Sequence, residues 1–281
     1  MNEYFSVNCD LPTSCTLLAC QITIPLTRNS SDRTQHVQSL LKKIGCCLDK
    51  QAADLVVLPE LSSIEYSREA FDQLAILAED LEGQSVNAMR ALAMQYQTAI
   101  VFGMPRRVDE HYRISQITIA ADGEIIGCYD KLHICQYGAS LEKEYFQRGS
   151  EVAVFEIAGF RFAPIICYDI RIPELSRVIT LEHKVDCILH CGAYFRDESF
   201  ASWHAFATTR AMENQLYLLS LNRAGEDYGD SIYCPPWIDE NQPATHFATH
   251  AEDFRYFKLD QQVLSNTRAK YTFLKDRLAE Y

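Results

Sequence analysis

Cys167 stands where an apolar run gives way to a polar turn, in Phe162-Ala-Pro-Ile-Ile-Cys-Tyr-Asp-Ile-Arg-Ile-Pro-Glu-Leu175. Phe162 to Ile166 reads as a buried strand broken only by Pro164. Arg171 to Leu175 reads as a helix start, with Pro173 tolerated in the first turn and Glu174 favoured by the helix dipole. A thiol in such a turn lies near free backbone N–H groups, which lower its pKa and can hold a developing oxyanion. Cysteines in general are more often inert core residues, so the reading depends on what other strand ends carry. Ala53 to Ser62 is an apolar strand ending in Pro59 and Glu60. A carboxylate directly after a strand buried on both faces loses solvation, which raises its pKa toward the range of a general base. Gly127 to His133 is another strand, ending in Lys131. Either residue alone is usually a solvated surface group. Together the three strand ends supply a base, a cation and a nucleophile, the parts needed for acyl transfer through a thioester.

Strands and helices must alternate closely to bring these ends to one edge. Cys15 to Pro25 reads as a strand, followed by a helix capped at Ser31 or Asp32 and running to about Lys50. Two helices, Arg68 to Ala78 and Gln84 to Tyr96, precede a strand from Thr98 to Met104. Arg113 to Ala120 and Gly123 to Tyr129 form a hairpin around Asp122-Gly123. Val152 to Ile157 and Phe160 to Ile166 form a second around Ala158-Gly159. After Cys167 come a helix to about Glu182, a strand to His190, a helix from Ser199 to Asn214 and a strand from Leu216 to Asn222. Hairpins mixed with crossover helices predict a sheet-on-sheet core with helices outside.

At 281 residues, with 48% hydrophobic and 23% charged residues, the chain suits one large domain with a sizeable core. Its formal net charge of −12 argues against nucleic acid or an anionic membrane surface as partner. The first residues show no cationic start followed by an apolar stretch, and no run reaches a membrane-spanning length. Eleven cysteines, an odd number, then predict reduced thiols in the cytoplasm. Cys187, His190 and Cys191 invite a zinc reading, but no second ligand pair follows at metal-site spacing, so core thiols, no metal and no cofactor are expected.

The motifs resemble the nitrilase (carbon–nitrogen hydrolase) superfamily, amidase-like branch. The matching pieces are Leu58-Pro59-Glu60, Tyr129-Asp130-Lys131-Leu132-His133 and Cys167-Tyr168-Asp169-Ile170-Arg171-Ile172-Pro173-Glu174. Leu141-Glu142-Lys143-Glu144-Tyr145-Phe146 looks like the segment with the second family glutamate, and its frame singles out Glu142 over Glu144. Ala211 to Gln215, Leu221 to Gly225 and Gly229 to Ile232 match the pattern after the nucleophile. The resemblance implies an α/β fold, a four-layer αββα sandwich over residues 15–281 behind an extension of residues 1–14, pairing into an αββα–αββα dimer. It implies Cys167 as nucleophile, Glu60 as proton acceptor, Lys131 and the Tyr168 N–H at the oxyanion, and Glu142 in a positioning role. His133 is expected as a structural partner near Lys131. Tyr168, Arg171 and Tyr194 are candidate substrate contacts, and Arg171 can equally be a structural helix-start residue. The expected substrate is a small carboxylated amide, as for ω-amidases; an N-carbamoyl amino-acid or amine substrate, or a nitrile, stays open. A scaffold that kept the fold is the non-enzyme alternative. Trp203, Phe206 and Met212 are expected at a dimer interface. The Cys234-Pro-Pro-Trp-Ile segment reshapes the mouth of the site or makes a rigid loop.

Overall fold

Along β1 (Ser14–Gln21) the side chains of Cys15, Leu17 and Ala19 enter one apolar cluster, and those of Leu18 and Cys20 enter another. A strand buried on both faces must lie between two layers, and the computed structural model, which describes residues 13–138 and 140–278, places two sheets and two helical layers accordingly. In chain order, β1 leads through α1 (Ser30–Leu48) to β2 (Leu55–Val57), then to the short α2 (Arg68–Phe71) and α3 (Leu74–Leu77). α4 (Gln84–Tyr96) precedes β3 (Ala99–Val108), β4 (His111–Ile119) and β5 (Ile125–Asp130). The second half runs α5 (Glu142–Tyr145), β6 (Phe155–Ile157), β7 (Phe160–Ile166), α6 (Pro173–Leu181), β8 (Cys187–Cys191), α7 (Phe200–Asn214) and β9 (Tyr217–Leu221). β10 (Ile232–Cys234), β11 (Thr245–His246), β12 (Asp253–Asp260), α8 (Gln261–Lys270) and α9 (Phe273–Asp276) follow.

The sheets have the orders β12-β1-β2-β3-β4-β5 and β11-β10-β9-β8-β7-β6. Each has a parallel heart, β1-β2-β3 in one and β7-β8-β9 in the other, flanked by antiparallel strands. Leu17, Leu55 and Val101 from the first sheet pack on Leu189, Leu219 and Leu221 from the second. α1 and α4 cover the outer face of the first sheet, and α6 and α7 that of the second, giving the αββα order. The C-terminal ends of β2, β7 and β8 open at one edge, and the residues after them carry the chemistry.

Local details depart from the expected boundaries. Asn29 caps α1 by accepting the Asp32 N–H, in place of Ser31 or Asp32. The expected helix 68–78 is two short turns. β3 continues past Met104 through Pro105 to Val108, because β2 ends opposite Val101 and a missing N–H there breaks no ladder bond. Of the expected N-terminal extension, residues 1–12 lie outside the described residues.

Candidate active site

Glu60 follows β2, Lys131 follows β5 and Glu142 opens α5, and the three side chains meet with essentially no solvent exposure. Lys131 Nζ lies 2.8 Å from Glu60 Oε1 and 2.6 Å from Glu142 Oε1. The remaining carboxylate oxygens are also satisfied: Ala193 N–H donates to Glu60 Oε2 at 2.8 Å, and Cys135 N–H to Glu142 Oε2 at 3.0 Å. Tyr66 O–H adds a bond of 3.1 Å to Glu142 Oε1. Burial alone would lower the Lys131 pKa, but the Glu142 and Glu60 carboxylates outweigh it and hold the ammonium charged. Two carboxylates against one cation leave a surplus negative charge. Burial first, with Glu142 adding to it against Lys131, pushes the Glu60 carboxyl up to about 7. The loop carrying Glu60 sits so close to β3 that a Cβ on Gly103 would lie 2.5 Å from Leu61 N and Pro59 O. Only glycine fits there.

Cys167 follows β7 and opens a 3-10 turn, Cys167–Arg171, with its own φ at +45°, a region costly for a residue with a Cβ. Three neighbours hold that turn. Buried Asp169 accepts the Ile166 N–H and Tyr129 O–H on one oxygen, at 2.9 and 2.7 Å. Its other oxygen meets the His133 N–H and ring Nδ1, at 3.0 and 2.7 Å. The Cys167 carbonyl receives Tyr194 O–H and His190 Nε2, each at 2.9 Å. The sequence reading of a lowered thiol pKa is corrected: burial, then the Glu60 charge, pushes the Cys167 thiol well above its ordinary value despite Lys131. The resting thiol therefore keeps its proton beside a carboxyl raised to about 7.

Cys167 and Glu142 line a cavity of about 120 Å³, with Tyr168, Arg171, Tyr194 and Tyr228 among its walls. All three candidate substrate contacts therefore face it. Arg171 donates to the Ser202 hydroxyl and the Ser199 carbonyl, and neither partner carries a charge. Its guanidinium also lies 4.9 Å from the Phe206 ring centroid.

A profile for carbon–nitrogen hydrolases matches residues 17–251. The chain belongs to the carbon–nitrogen hydrolase family. As a family member it is an enzyme that hydrolyses amide carbon–nitrogen bonds. It is 31% identical to the 2-oxoglutaramate amidase of Bacillus subtilis over 207 residues, 70% of this chain and 76% of that one. It is 26% identical to an omega-amidase of Saccharomyces cerevisiae over 271 residues, 90% of this chain and 91% of that one. A crystal structure of a nitrilase-superfamily member from Saccharomyces cerevisiae shares the fold, with a TM-score of 0.83 at 22% identity over 96% of this chain and 98% of that one.

Within this hydrolase, Glu142 stands in the buried set, whereas Glu144 is exposed and paired with Arg68. His133 has the structural hydrogen-bonding place expected of it, through its backbone N–H and ring Nδ1 to Asp169. Cys187 and Cys191 point into the inter-sheet core, while His190, on the alternate side of β8, reaches the Cys167 carbonyl. Trp203 is not an interface residue: it is fully buried, stacks on Tyr194 and donates to Ser220. Trp237 lies against Tyr271, just after the last turn of α8, at 3.7 Å between ring centroids, and does not line the cavity. Asp169, His190, Tyr66 and the Cys135 N–H were missed as site-holding groups. For Asp169 the signal was present, since a carboxylate two residues after Cys167 can reach the backbone of its own turn.

Proposed function

We propose that the protein hydrolyses short ω-amides bearing a distal carboxylate, the class to which 2-oxoglutaramate belongs. The observation that carries this reading is the buried Glu60–Lys131–Glu142 set beside Cys167, with Cys167 and Glu142 lining a small cavity whose wall includes Arg171, hydrogen-bonded among the described residues to the uncharged Ser202 hydroxyl and Ser199 carbonyl. Glu60 takes the Cys167 proton as sulfur attacks the amide carbon. Lys131 and the Tyr168 N–H hold the tetrahedral oxyanion. Glu60 returns the proton to departing ammonia, leaving a thioester. Water, deprotonated by Glu60, then releases the acid and restores the thiol. Glu142 keeps Lys131 in place. Arg171 meets the distal carboxylate, as guanidinium groups do bidentately.

The test is ammonia release from 2-oxoglutaramate, an N-carbamoyl amino acid and an aliphatic nitrile in parallel. Fastest turnover of the ω-amide, with Arg171→Gln raising KM about tenfold or more through loss of a charged hydrogen bond, supports the reading. Faster turnover of the carbamoyl compound, with carbon dioxide released alongside ammonia, moves the enzyme to the carbamoyl branch.

The catalytic domain on this reading runs from Cys15 onward, and the active form is a homodimer paired through α6 and α7. Half-buried Val178, Leu181 and Met212 on those helices support it. A fully active monomer by light scattering at micromolar concentration would sink the dimer. The cytoplasm is the proposed compartment, supported by the ten described cysteines all being free. No helix among the described residues is long and apolar enough to cross a membrane.

A further inference from the structure

The Cys167 carbonyl can only accept hydrogen bonds, and it faces two donors, Tyr194 O–H and His190 Nε2, each at 2.9 Å. His190 Nε2 therefore carries a proton. His190 is fully buried, and burial lowers its pKa to about 4, so the ring is neutral at neutral pH and Nδ1 has to accept. The group 2.6 Å from Nδ1 is Ser220 Oγ, whose hydroxyl is then the donor. Ser220 Oγ in turn accepts from Trp203 Nε1 at 2.7 Å. Every member of the chain Trp203→Ser220→His190→Cys167 has a single consistent assignment. Trp203 supports the second donor too, since its ring stacks on Tyr194 with centroids 4.6 Å apart and planes 7° from parallel.

We propose that Trp203, Ser220, His190 and Tyr194 form a neutral brace that fixes the Cys167–Tyr168 peptide plane and so aims the Tyr168 N–H at the oxyanion. A trans peptide is planar, with its C=O and N–H opposed. Pinning the carbonyl toward His190 and Tyr194 turns the N–H of Tyr168 the other way. That N–H lies in the first positions of the 3-10 turn, where a helical N–H has no acceptor within its own turn. The brace also opposes relaxation of the strained φ of +45° at Cys167. His190, Ser220 and Trp203 do not line the cavity, so they act on the reaction through the peptide. They are positioning residues.

The inference rests on Cys167 being the nucleophile, and the experiment separates the two. Iodoacetamide alkylates the Cys167 thiolate by displacing iodide and forms no oxyanion. Propanal and succinic semialdehyde add reversibly to the same sulfur, and their tetrahedral adducts place an oxygen where the oxyanion forms. In the full chain, Ser220→Ala frees the His190 tautomer and His190→Phe removes the donor. Deleting an oxyanion donor costs about 10²–10³ in kcat, and misdirecting one about tenfold as a smaller share of that loss. Both variants should weaken the aldehyde adducts about tenfold and lower kcat with KM nearly unchanged, while Cys167 alkylation, followed by peptide mapping, stays within about twofold. His190→Gln, whose amide N–H can replace Nε2–H, should recover most of the loss. Tyr194→Phe deletes one hydroxyl and carries the test should either of the first two variants fail to fold. Aldehyde affinity and alkylation falling together, or neither changing, overturns the brace. Wild-type Cys167 that reacts with none of these reagents overturns the nucleophile itself.

Discussion

On the side of the first sheet the site is held by charge. Glu60, Lys131 and Glu142 are buried together, and bonds of 2.6 and 2.8 Å join the lysine to the two carboxyl groups out of water. On the side of the second sheet, the Cys167 carbonyl is held by neutral groups, a phenol and a neutral imidazole. Both arrangements fix a strand end, but their failure modes differ. A buried charged set depends on every member, because removing one leaves its partner unpaired in a medium that solvates it poorly. A neutral brace loses one hydrogen bond at a time and has no proton to exchange near neutral pH. Sensitivity to pH and to single deletions should therefore be concentrated on the first side.

The comparison breaks most sharply at the residue the two sides share. Cys167→Ala should fold and lose amide hydrolysis by several orders of magnitude, since the covalent route is gone; retention of a substantial fraction of turnover would show that another group attacks. Lys131→Met leaves two carboxylates buried without their cation, and should cost about 3–5 kcal/mol in denaturant unfolding along with activity. Glu60→Gln should lower kcat by about 10²–10⁴ through loss of the proton carrier, measured on enzyme shown folded by circular dichroism.

Two smaller effects sharpen the contrast. With the Glu60 carboxyl at about 7, its basic form grows as pH rises through that value, so the rate should climb across it. The folded state holds this proton more tightly than the unfolded chain does, so stability present at low pH is lost as pH rises through about 7. Rate and stability should thus move in opposite directions over one pH window, and a melting temperature that rises there would contradict the assignment. Smallest is Gly103→Ala: the added Cβ meets the backbone of the Glu60 loop and should cost about 1–3 kcal/mol as overpacking, read from thermal melts.

Much of this was legible in the sequence because strand ends announce themselves. Apolar runs terminating in Glu60, Lys131 and Cys167 predict both the strands and the edge where they meet. The supporting groups were harder to read, because they depend on which face of a strand a residue takes. His190 between Cys187 and Cys191 suggested a metal, yet strand alternation sends the thiols to the inter-sheet core and the imidazole to Cys167. Trp203 looked like an interface residue because a large aromatic on a helix says nothing of its partner, and the partner, Ser220, is on the next strand. Pro105 looked like a strand end because its tolerance depends on where β2 stops, 48 residues earlier at Val57.

The chain has only two tryptophans, and they report on different places. Trp237 emits from beside Tyr271, partly exposed to solvent, whereas Trp203 emits from a dry pocket two hydrogen bonds from His190. Trp237→Phe leaves a single tryptophan, stacked on Tyr194 and linked through Ser220 to the imidazole that touches the Cys167 peptide, and its burial should give blue-shifted emission. Stopped-flow fluorescence of that variant, excited at a wavelength tyrosine does not absorb, should therefore report acylation and deacylation without a coupled ammonia assay or a chromogenic substrate.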